Sequence, residues 1–183
     1  IHKMTSLYDG YHFCEYAEGM FNPFSVLNVF DGYKFENYWF QTGTPTFLVK
    51  MLMDSNYDLR TLIDGVEANA ASFNEYRAES RNPIPLIYQS GYLTIKEYDP
   101  RFKTYQLAFP NDEVRYGFMN FLLPFYSNIP DNEQDFYIGK FVHELESGNI
   151  NAFLTRLQAF FADIPYELND QTERHYQTVF YLI

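Results

Sequence analysis

Cysteine is almost absent from this sequence, and its scarcity excludes a fold held together by disulfides. The 183 residues contain one cysteine, Cys14, which has no second cysteine to pair with inside the chain. A single thiol is typical of a protein from a reducing compartment. No base stands beside Cys14 in the sequence to activate it, so we expect a bystander thiol rather than a nucleophile.

Long apolar stretches are absent as well. Although 46% of the residues are hydrophobic, no run approaches the roughly 20 apolar residues that a helix needs to cross a bilayer. The chain also opens without the charged and then apolar leader of a secreted protein. These features predict a cytoplasmic protein without a membrane partner.

Nucleotide-binding and catalytic motifs are missing too. The sequence contains no GxxxxGK[ST] phosphate loop, no GxGxxG turn and no GxSxG nucleophile elbow. His143 with Glu144 or Glu146 lacks the one-face spacing of a zinc-binding helix. The acidic residues are scattered over predicted helix surfaces, where no catalytic pair can be picked out. We therefore predict no catalytic residue, no metal site and no enzymatic activity of this chain by itself.

Basic residues are scarce and partly clustered. Lys and Arg total 13 against 24 Asp and Glu, which gives a net charge of −11 that repels phosphate over the surface. Lys96, Arg101 and Lys103 nevertheless lie close together on a predicted hairpin, where they either contact nucleic acid or form a solvated tip. The apolar residues 86–88 just before the hairpin favour the solvated tip, because a helix that reads DNA presents polar and basic side chains.

One segment has a clear β pattern. Apolar and polar residues alternate over 93–96 and again over 105–109, which predicts two strands with one apolar face each. Asp99-Pro100 between them predicts a turn, since Asp accepts hydrogen bonds from N–H groups ahead of it and Pro presets φ. Residues 84–88 predict a short helix leading into this hairpin. A helix followed by a hairpin, inside a mainly α chain, outlines a winged-helix module.

Helical patterns dominate elsewhere in the first 111 residues. Asn22 followed by Pro23 predicts the N-cap and first residue of a helix. We expect this helix to turn Phe24, Leu27 and Val26 or Phe30 inward. Residues 65–81 are polar and poorly patterned, and they are expected to form a loop or a frayed helix.

The last 72 positions predict amphipathic helices. One carries Phe141, Val142 and Leu145, and the next follows the i, i+3, i+4, i+7 rule with apolar residues from 150 to 161. The short Gly148-Asn149 link makes the two helices antiparallel neighbours. We expect two modules, residues 1–111 and residues 112–183. Because Ile1 stands in place of Met and the last helix reaches Ile183 without a capping signal, we also expect a fragment of a longer protein.

Several ordered blocks resemble one known family, the AAA-ATPase-like proteins, which are chiefly bacterial and often carry a PD-(D/E)xK nuclease-like domain at the C-terminus. The resembling blocks are YDGY (8–11), NPFSVL (22–27), YWFQTGTP (38–45), QSGYLTI (89–95) and FPN (109–111). The later blocks ADIPY (162–166) and HYQTVFYL (175–182) resemble the segment that leads into the nuclease-like domain. Together the blocks span nearly the whole chain.

The resemblance implies a place for this chain within a larger protein. Residues 1–111 would be the helical lid and winged-helix-like part of an ATPase, and residues 112–183 an α-helical bundle segment leading into a C-terminal domain. The Walker motifs and the nuclease-like residues of the family have no counterpart in this sequence. The partners implied are therefore the ATPase core and the nuclease-like domain of the same polypeptide.

The resemblance also implies a nucleotide contact. In related ATPases a Gly-x-Pro of the lid packs against adenine, and Gly43-Thr44-Pro45 is similar. Gly43 and Pro45 are thus expected to contact ATP in the parent protein, while this fragment holds no cofactor of its own. We expect a non-catalytic regulatory fragment that couples the nucleotide state to the nuclease-like effector. A nucleic-acid-binding winged helix and a protein-interaction module are the alternatives.

Overall fold

The computed structural model describes residues 2–42, 46–55, 57–70, 73, 82–127, 129–130, 133–164 and 173–183. It is mainly α-helical, as expected, and divides into two compact units, Ile1–Phe118 and Met119–Ile183. The division falls inside one helix, Asp112–Tyr126, after Phe118.

The first unit contains short helices around a small antiparallel sheet. Its elements in chain order are α1 (His2–Tyr8), α2 (Pro23–Gly32), a 3-10 helix (Trp39–Thr42), α3 (Thr46–Ser55), α4 (Arg60–Asp64), β1 (Val66–Asn69), α5 (Ile84–Gln89), β2 (Thr94–Asp99), β3 (Thr104–Ala108) and the first half of α6 (Asp112–Tyr126).

The start of α2 confirms the predicted cap. The Asn22 side-chain oxygen accepts hydrogen bonds from the backbone N–H groups of Phe24 and Ser25, at 3.0 and 3.4 Å, and Pro23 occupies the first turn. The helix ends at Gly32, and Tyr33 follows with φ of 53° in the left-handed conformation. Local sequence chemistry therefore determines where α2 begins and ends.

The predicted inward face of α2 is wrong for Phe24, Leu27 and Phe30, whereas Val26 is half-buried against the cluster of Tyr8, Val29 and Tyr38. Leu27 is 66% exposed, Phe30 is 62% exposed and Phe24 is also exposed. Ser25 and Val29 are the buried side chains of this helix. Both faces are apolar enough to be buried, so periodicity could not distinguish them, and the polar partner of Ser25 selects the inner one. That partner is a carboxylate distant in sequence, described below.

The hairpin is confirmed, and its turn has the predicted chemistry. The Asp99 side-chain oxygen accepts hydrogen bonds from the backbone N–H groups of Arg101 and Phe102, at 2.8 and 3.2 Å. A register shift between Ile95 and Glu97 interrupts the alternation along β2. The turn and the pairing of β2 with β3 were both predictable from the sequence.

A third strand, Val66–Asn69, corrects part of the loop or frayed helix predicted for residues 65–81, of which residues 71–72 and 74–81 lie outside the described residues. Strand β1 pairs antiparallel with β3, from Val66 opposite Leu107 to Asn69 opposite Thr104, so that the strand order is β1-β3-β2. Only Ala68 of this strand is buried. Because β1 has no apolar alternation of its own, pairing with β3 rather than local pattern makes it a strand.

A close crossing of backbones joins the first turn of the chain to the segment before α6. Gly10 has φ of +99°, and a Cβ there would lie 2.3 Å from the Pro110 carbonyl oxygen. The Asn111 side chain donates to the Asp9 carbonyl oxygen at 3.0 Å and accepts from Val114 N–H at 3.1 Å, as the cap of α6. This approach needs glycine at position 10.

The second unit is helical throughout its described residues. It contains the second half of α6, then α7 (Gln134–Glu146), α8 (Ile150–Ala162) and α9 (Glu173–Leu182). Helices α7 and α8 are neighbours, as predicted. The ring of Phe141 packs edge-on against those of Phe153 and Phe160, with centroids 5.7 and 5.9 Å apart. Gly148, with φ of +70°, lies in the link, and Asn149 caps α8 through Ala152 N–H.

Several residues expected to line the α7–α8 contact are exposed instead, namely Val142, Leu145, Ile150 and Leu154. The contact also contains an ion pair, in which the Arg156 guanidinium donates to both carboxylate oxygens of Glu144, with Nε at 2.8 and 2.9 Å. None of the helices in the described residues has the length and apolar character needed to span a membrane.

Candidate binding site

The three cations of the predicted hairpin cluster occupy different surroundings. Lys96 Nζ donates to the carbonyl oxygens of Pro110 and Gly10, at 2.8 and 3.3 Å. Partial burial lowers the pKa of this ammonium group, and Asp9 opposes the shift. Lys96 therefore holds the backbone crossing between Gly10 and Pro110 rather than projecting freely.

Arg101 and Lys103 lie in the turn between β2 and β3. Both side chains are exposed, and the Arg101 guanidinium lies 4.9 Å from the ring centroid of Phe102, which is 65% exposed. Lys103 has φ of 55°. We call these three residues the hairpin tip.

The predicted nucleotide contacts, Gly43 and Pro45, lie outside the described residues. Helix α3 begins just after them, at Thr46. Their expected role stays a prediction.

A cavity of about 490 Å³ in the first unit has a mostly apolar lining, and we call it the aromatic pocket. Five aromatic side chains line it among the described residues: Tyr11, Phe13, Phe21, Trp39 and Tyr88. A volume of this size is within the usual range for small-molecule sites, which are mostly apolar with few polar groups.

Trp39 forms one wall of the pocket because glycine leaves room for its ring. Gly91 has φ of +80°, and a Cβ there would lie 3.2 Å from the indole. On another side the Trp39 ring meets Tyr11, with centroids 5.8 Å apart and planes tilted by 38°. Trp39 thus packs between the segment after α5 and the first turn of the chain.

Two buried polar atoms at the pocket have no hydrogen-bond partner among the described residues: the Tyr11 hydroxyl and the Asn22 side-chain nitrogen. Both side chains line the pocket, and they are 8% and 5% exposed. The Asn22 oxygen is already occupied as the cap of α2. Burial raises the pKa of Tyr11 well above its ordinary value, which keeps the hydroxyl protonated as a donor.

The other polar side chains of the pocket are engaged. The Thr94 hydroxyl donates to the His12 carbonyl at 2.8 Å and accepts from His12 N–H at 2.7 Å. The Gln89 amide donates to the Phe73 carbonyl at 3.0 Å. The Thr94 contact explains why this residue is buried although the alternation of β2 predicts it on the polar face.

A buried carboxylate lies beneath the segment that carries Trp39. Glu113, on the first turn of α6, is fully buried and accepts from the backbone N–H groups of Tyr38 and Trp39, at 2.7 and 3.0 Å. The Ser25 hydroxyl donates to the same carboxylate at 2.8 to 3.0 Å. Burial raises the pKa of Glu113, and these hydrogen bonds oppose the shift.

Glu113 corrects the expectation that acidic residues lie on helix surfaces. Nothing local distinguishes it from Asp112, since both are acidic residues of a first helical turn. Its partners are 74 to 88 positions away in sequence. No short-range pattern could have identified it.

The sequence did contain a signal for the aromatic pocket, in the blocks that carry the family resemblance. Tyr11, Asn22 and Trp39 belong to three of these blocks, Gln89 and Gly91 belong to a fourth, and the fold brings them to one cavity. Lys96, Arg101 and Lys103, the predicted site residues that the structure describes, do not line it.

Comparisons with known proteins give one relative. A protein of Azotobacter chroococcum mcd 1, named "Uncharacterized protein in vnfD 5'region", is 32% identical to this chain over 189 aligned positions. The similarity covers 98% of this chain and 35% of that protein, so the chain spans about a third of the length of the curated relative it matches. No protein-family model matches the chain, and no solved structure matches it.

Proposed function

We propose that this chain is a non-catalytic regulatory segment of a larger AAA-type ATPase, and that it couples the nucleotide state of that protein to a C-terminal nuclease-like effector. The observation that carries the proposal is the meeting of the resembling blocks in the first unit. Four of them line the aromatic pocket, and the fifth contributes Asn111, which binds the Asp9 carbonyl. Because the five blocks meet in this way, they are consistent with one shared fold.

The sheet supports the winged-helix part of the proposal. A winged helix has one strand before its last helices and a hairpin after them, and here β1 precedes α5 while β2 and β3 form the hairpin. Strand β3 is central, with β1 and β2 on either side. The short α5, with Ile84 and Ile87 buried, occupies the position of the helix before the wing.

Two further findings agree with a segment of a larger protein. The Azotobacter relative extends well beyond the aligned region, since the alignment covers 35% of it. The chain also contains two compact units, and the division falls within the single helix α6. A segment that transmits a nucleotide signal needs an element with two conformations whose populations ligand binding can shift. We assign this role to the first unit.

The first test is the intact mass and reading frame of the native product. We expect a Walker A segment upstream and a nuclease-like segment downstream of these residues. In that protein Pro45→Ala should weaken ATP binding several-fold, with Pro130→Ala as the matched control. A native product that spans only these residues, or unchanged ATP affinity of a folded Pro45→Ala protein, would contradict the proposal.

Nucleic-acid binding is a second candidate because of the hairpin tip. An exposed Phe102 between Arg101 and Lys103 combines a stacking surface with two cations. Binding of duplex DNA should then weaken steeply with salt, and Arg101→Glu with Lys103→Glu should abolish it. Lys96→Gln is the comparison variant, because the Lys96 ammonium group already donates hydrogen bonds to backbone carbonyl oxygens. Equal binding by the charge-reversed protein excludes this role.

A protein-interaction role is the third candidate, favoured by the exposed apolar face of α2. Phe24, Leu27 and Phe30 lie on this face at helical spacing. Sedimentation should show concentration-dependent association without nucleotide or DNA, and Leu27→Gln should reduce it. A chain that stays monomeric at high concentration argues against this candidate.

A further inference from the structure

We propose that the aromatic pocket binds a small, planar, uncharged aromatic molecule that carries a hydrogen-bond acceptor. This inference concerns what the pocket binds. It is tested separately from the ATPase proposal, which uses the pocket only as the place where the resembling blocks meet.

The walls of the pocket favour a planar aromatic occupant. Trp39 and Tyr11 face the cavity from one side, and Tyr88 and Phe21 are further aromatic lining residues. Aromatic rings pack against other rings in offset or edge-to-face arrangements that add to the energy of burial. Leu93 and Gly91 complete an apolar lining that gains most from excluding water.

The unpaired donors favour an occupant with an acceptor. A buried polar group without a partner costs about 1 to 3 kcal/mol, and such groups are rare in native proteins. The Tyr11 hydroxyl and the Asn22 amide nitrogen both lack partners among the described residues, and both side chains line this one cavity. Both atoms have almost no accessible surface, so an acceptor atom on the occupant would reach either of them only after that side chain turns its polar atom toward the cavity.

The lining residues that the structure describes favour an uncharged occupant. Among the described residues the pocket is lined by no Asp, Glu, Lys or Arg, and the His12 ring already bonds the Ala17 carbonyl at 3.0 Å. An ionised ligand would lose hydration without gaining an ion pair, which is costly. A neutral molecule avoids this cost.

The experiment uses the single tryptophan as a reporter. In the ¹⁵N-labelled 183-residue chain, Trp39 supplies the one indole N–H resonance. The probe is quinoline at pH 7.5, where this planar ring is neutral and its nitrogen is an acceptor. We expect the resonance to shift saturably on titration with quinoline, and not with cyclohexanone, which has a carbonyl acceptor but no aromatic ring.

The variants separate binding from stability. Tyr11→Phe removes an unpaired hydroxyl, so the free protein should be as stable as before or more stable, while its affinity for quinoline falls about 3- to 10-fold, the value of one hydrogen bond. Asn22→Asp keeps the cap of α2 and removes the amide donor. Tyr33→Phe, at an exposed tyrosine, is the matched control.

The proposal is overturned by the absence of a saturable shift, by equal shifts with cyclohexanone, or by unchanged affinity in both pocket variants.

Discussion

Among single residues, Glu113 is the one whose replacement we expect to lower the stability most. Its carboxylate joins the start of α6 to α2 through Ser25, and to the segment before the 3-10 helix through the N–H groups of Tyr38 and Trp39. One oxygen accepts from all three donors, whereas the second accepts from Ser25 only. The two oxygens are therefore not equivalent, and this difference makes a sharp test possible.

We expect Glu113→Ala to lower the free energy of unfolding of the first unit by about 3 kcal/mol, because three buried donors lose their acceptor. Glu113→Gln should cost under about 1 kcal/mol, since its carbonyl can keep both backbone bonds and its amide can donate to the Ser25 hydroxyl. Urea unfolding followed by Trp39 fluorescence measures both. Glu97→Ala, at an exposed glutamate of β2, is the control. Equal losses for Ala and Gln would contradict this assignment of oxygens.

The raised pKa of Glu113 gives a pH dependence with a definite sign. Between the ordinary carboxyl pKa of 4.5 and the raised value, the folded protein binds a proton that the unfolded chain has released. The stability contributed by the protonated form is complete below the ordinary pKa and is lost as the pH rises through the raised one. Wild-type protein should therefore lose stability relative to Glu113→Gln as the pH rises through this window. Parallel urea midpoints for the two proteins at every pH would refute the shift.

At the scale of elements, α2 illustrates a helix with two apolar faces. Its inner face consists of Ser25 and Val29, and its outer face carries Leu27. Val29 packs in a cluster with Tyr8 and Tyr38. Small inner side chains let the helix approach these rings, while the larger apolar residues stay outside.

We expect Val29→Ala to destabilise the first unit by about 2 kcal/mol, since it removes two buried methyl groups and leaves a small cavity. Leu27→Gln should change the stability by less than about 0.5 kcal/mol, because its side chain is exposed. Urea unfolding monitored by Trp39 compares the two. A larger loss of stability for Leu27→Gln than for Val29→Ala would support the original prediction that Leu27 faces inward.

The α7–α8 hairpin depends on an ion pair with the opposite pH behaviour. The hydrogen bonds from Arg156 hold the pKa of Glu144 below its ordinary value. The resulting stabilisation is present above the unfolded pKa and is lost as the pH falls through the folded one. Glu144→Gln should speed amide hydrogen exchange in α7 and α8 near neutral pH, and the difference should shrink in acid. Glu146→Gln, at an exposed neighbour, is the control, and a difference that grows in acid would be incompatible with this pairing.

At the scale of the whole molecule, net charge and exposed apolar groups act against each other. A net charge of −11 separates copies of the chain at neutral pH, whereas many large apolar side chains are exposed on both units. Repulsion vanishes near the isoelectric point of about 4.7.

Light scattering at low salt should therefore show self-association that rises towards pH 4.7 and falls again below it. At pH 7.5, added salt should increase association, because it screens the repulsion. The comparison is an acidic protein of similar size that has no exposed apolar face. Association that is strongest at neutral pH and low salt would show that specific contacts, rather than net charge, control it.

Local chemistry was sufficient to predict the features that depend on neighbouring residues. Asn22 was expected at a cap and Asp99 at a turn, and each binds backbone N–H groups two or three positions ahead. The hairpin and the α7–α8 pair were predictable for the same reason, because the short links leave few alternatives. Composition likewise established the net charge and the shortage of cations.

Tertiary structure alone decided the features that depend on distant partners. Strand β1 exists because β3 lies beside it, and the inner face of α2 is chosen by Glu113, which is 88 positions from Ser25. The aromatic pocket needs Tyr11, Trp39 and Gly91 to meet, although no two of them are close in sequence. The sequence by itself determined the caps, turns and charge, because these depend on adjacent groups. The burial of an acid, the choice of a helix face and the shape of a cavity depend on which distant segments pack together, and only the folded chain establishes that.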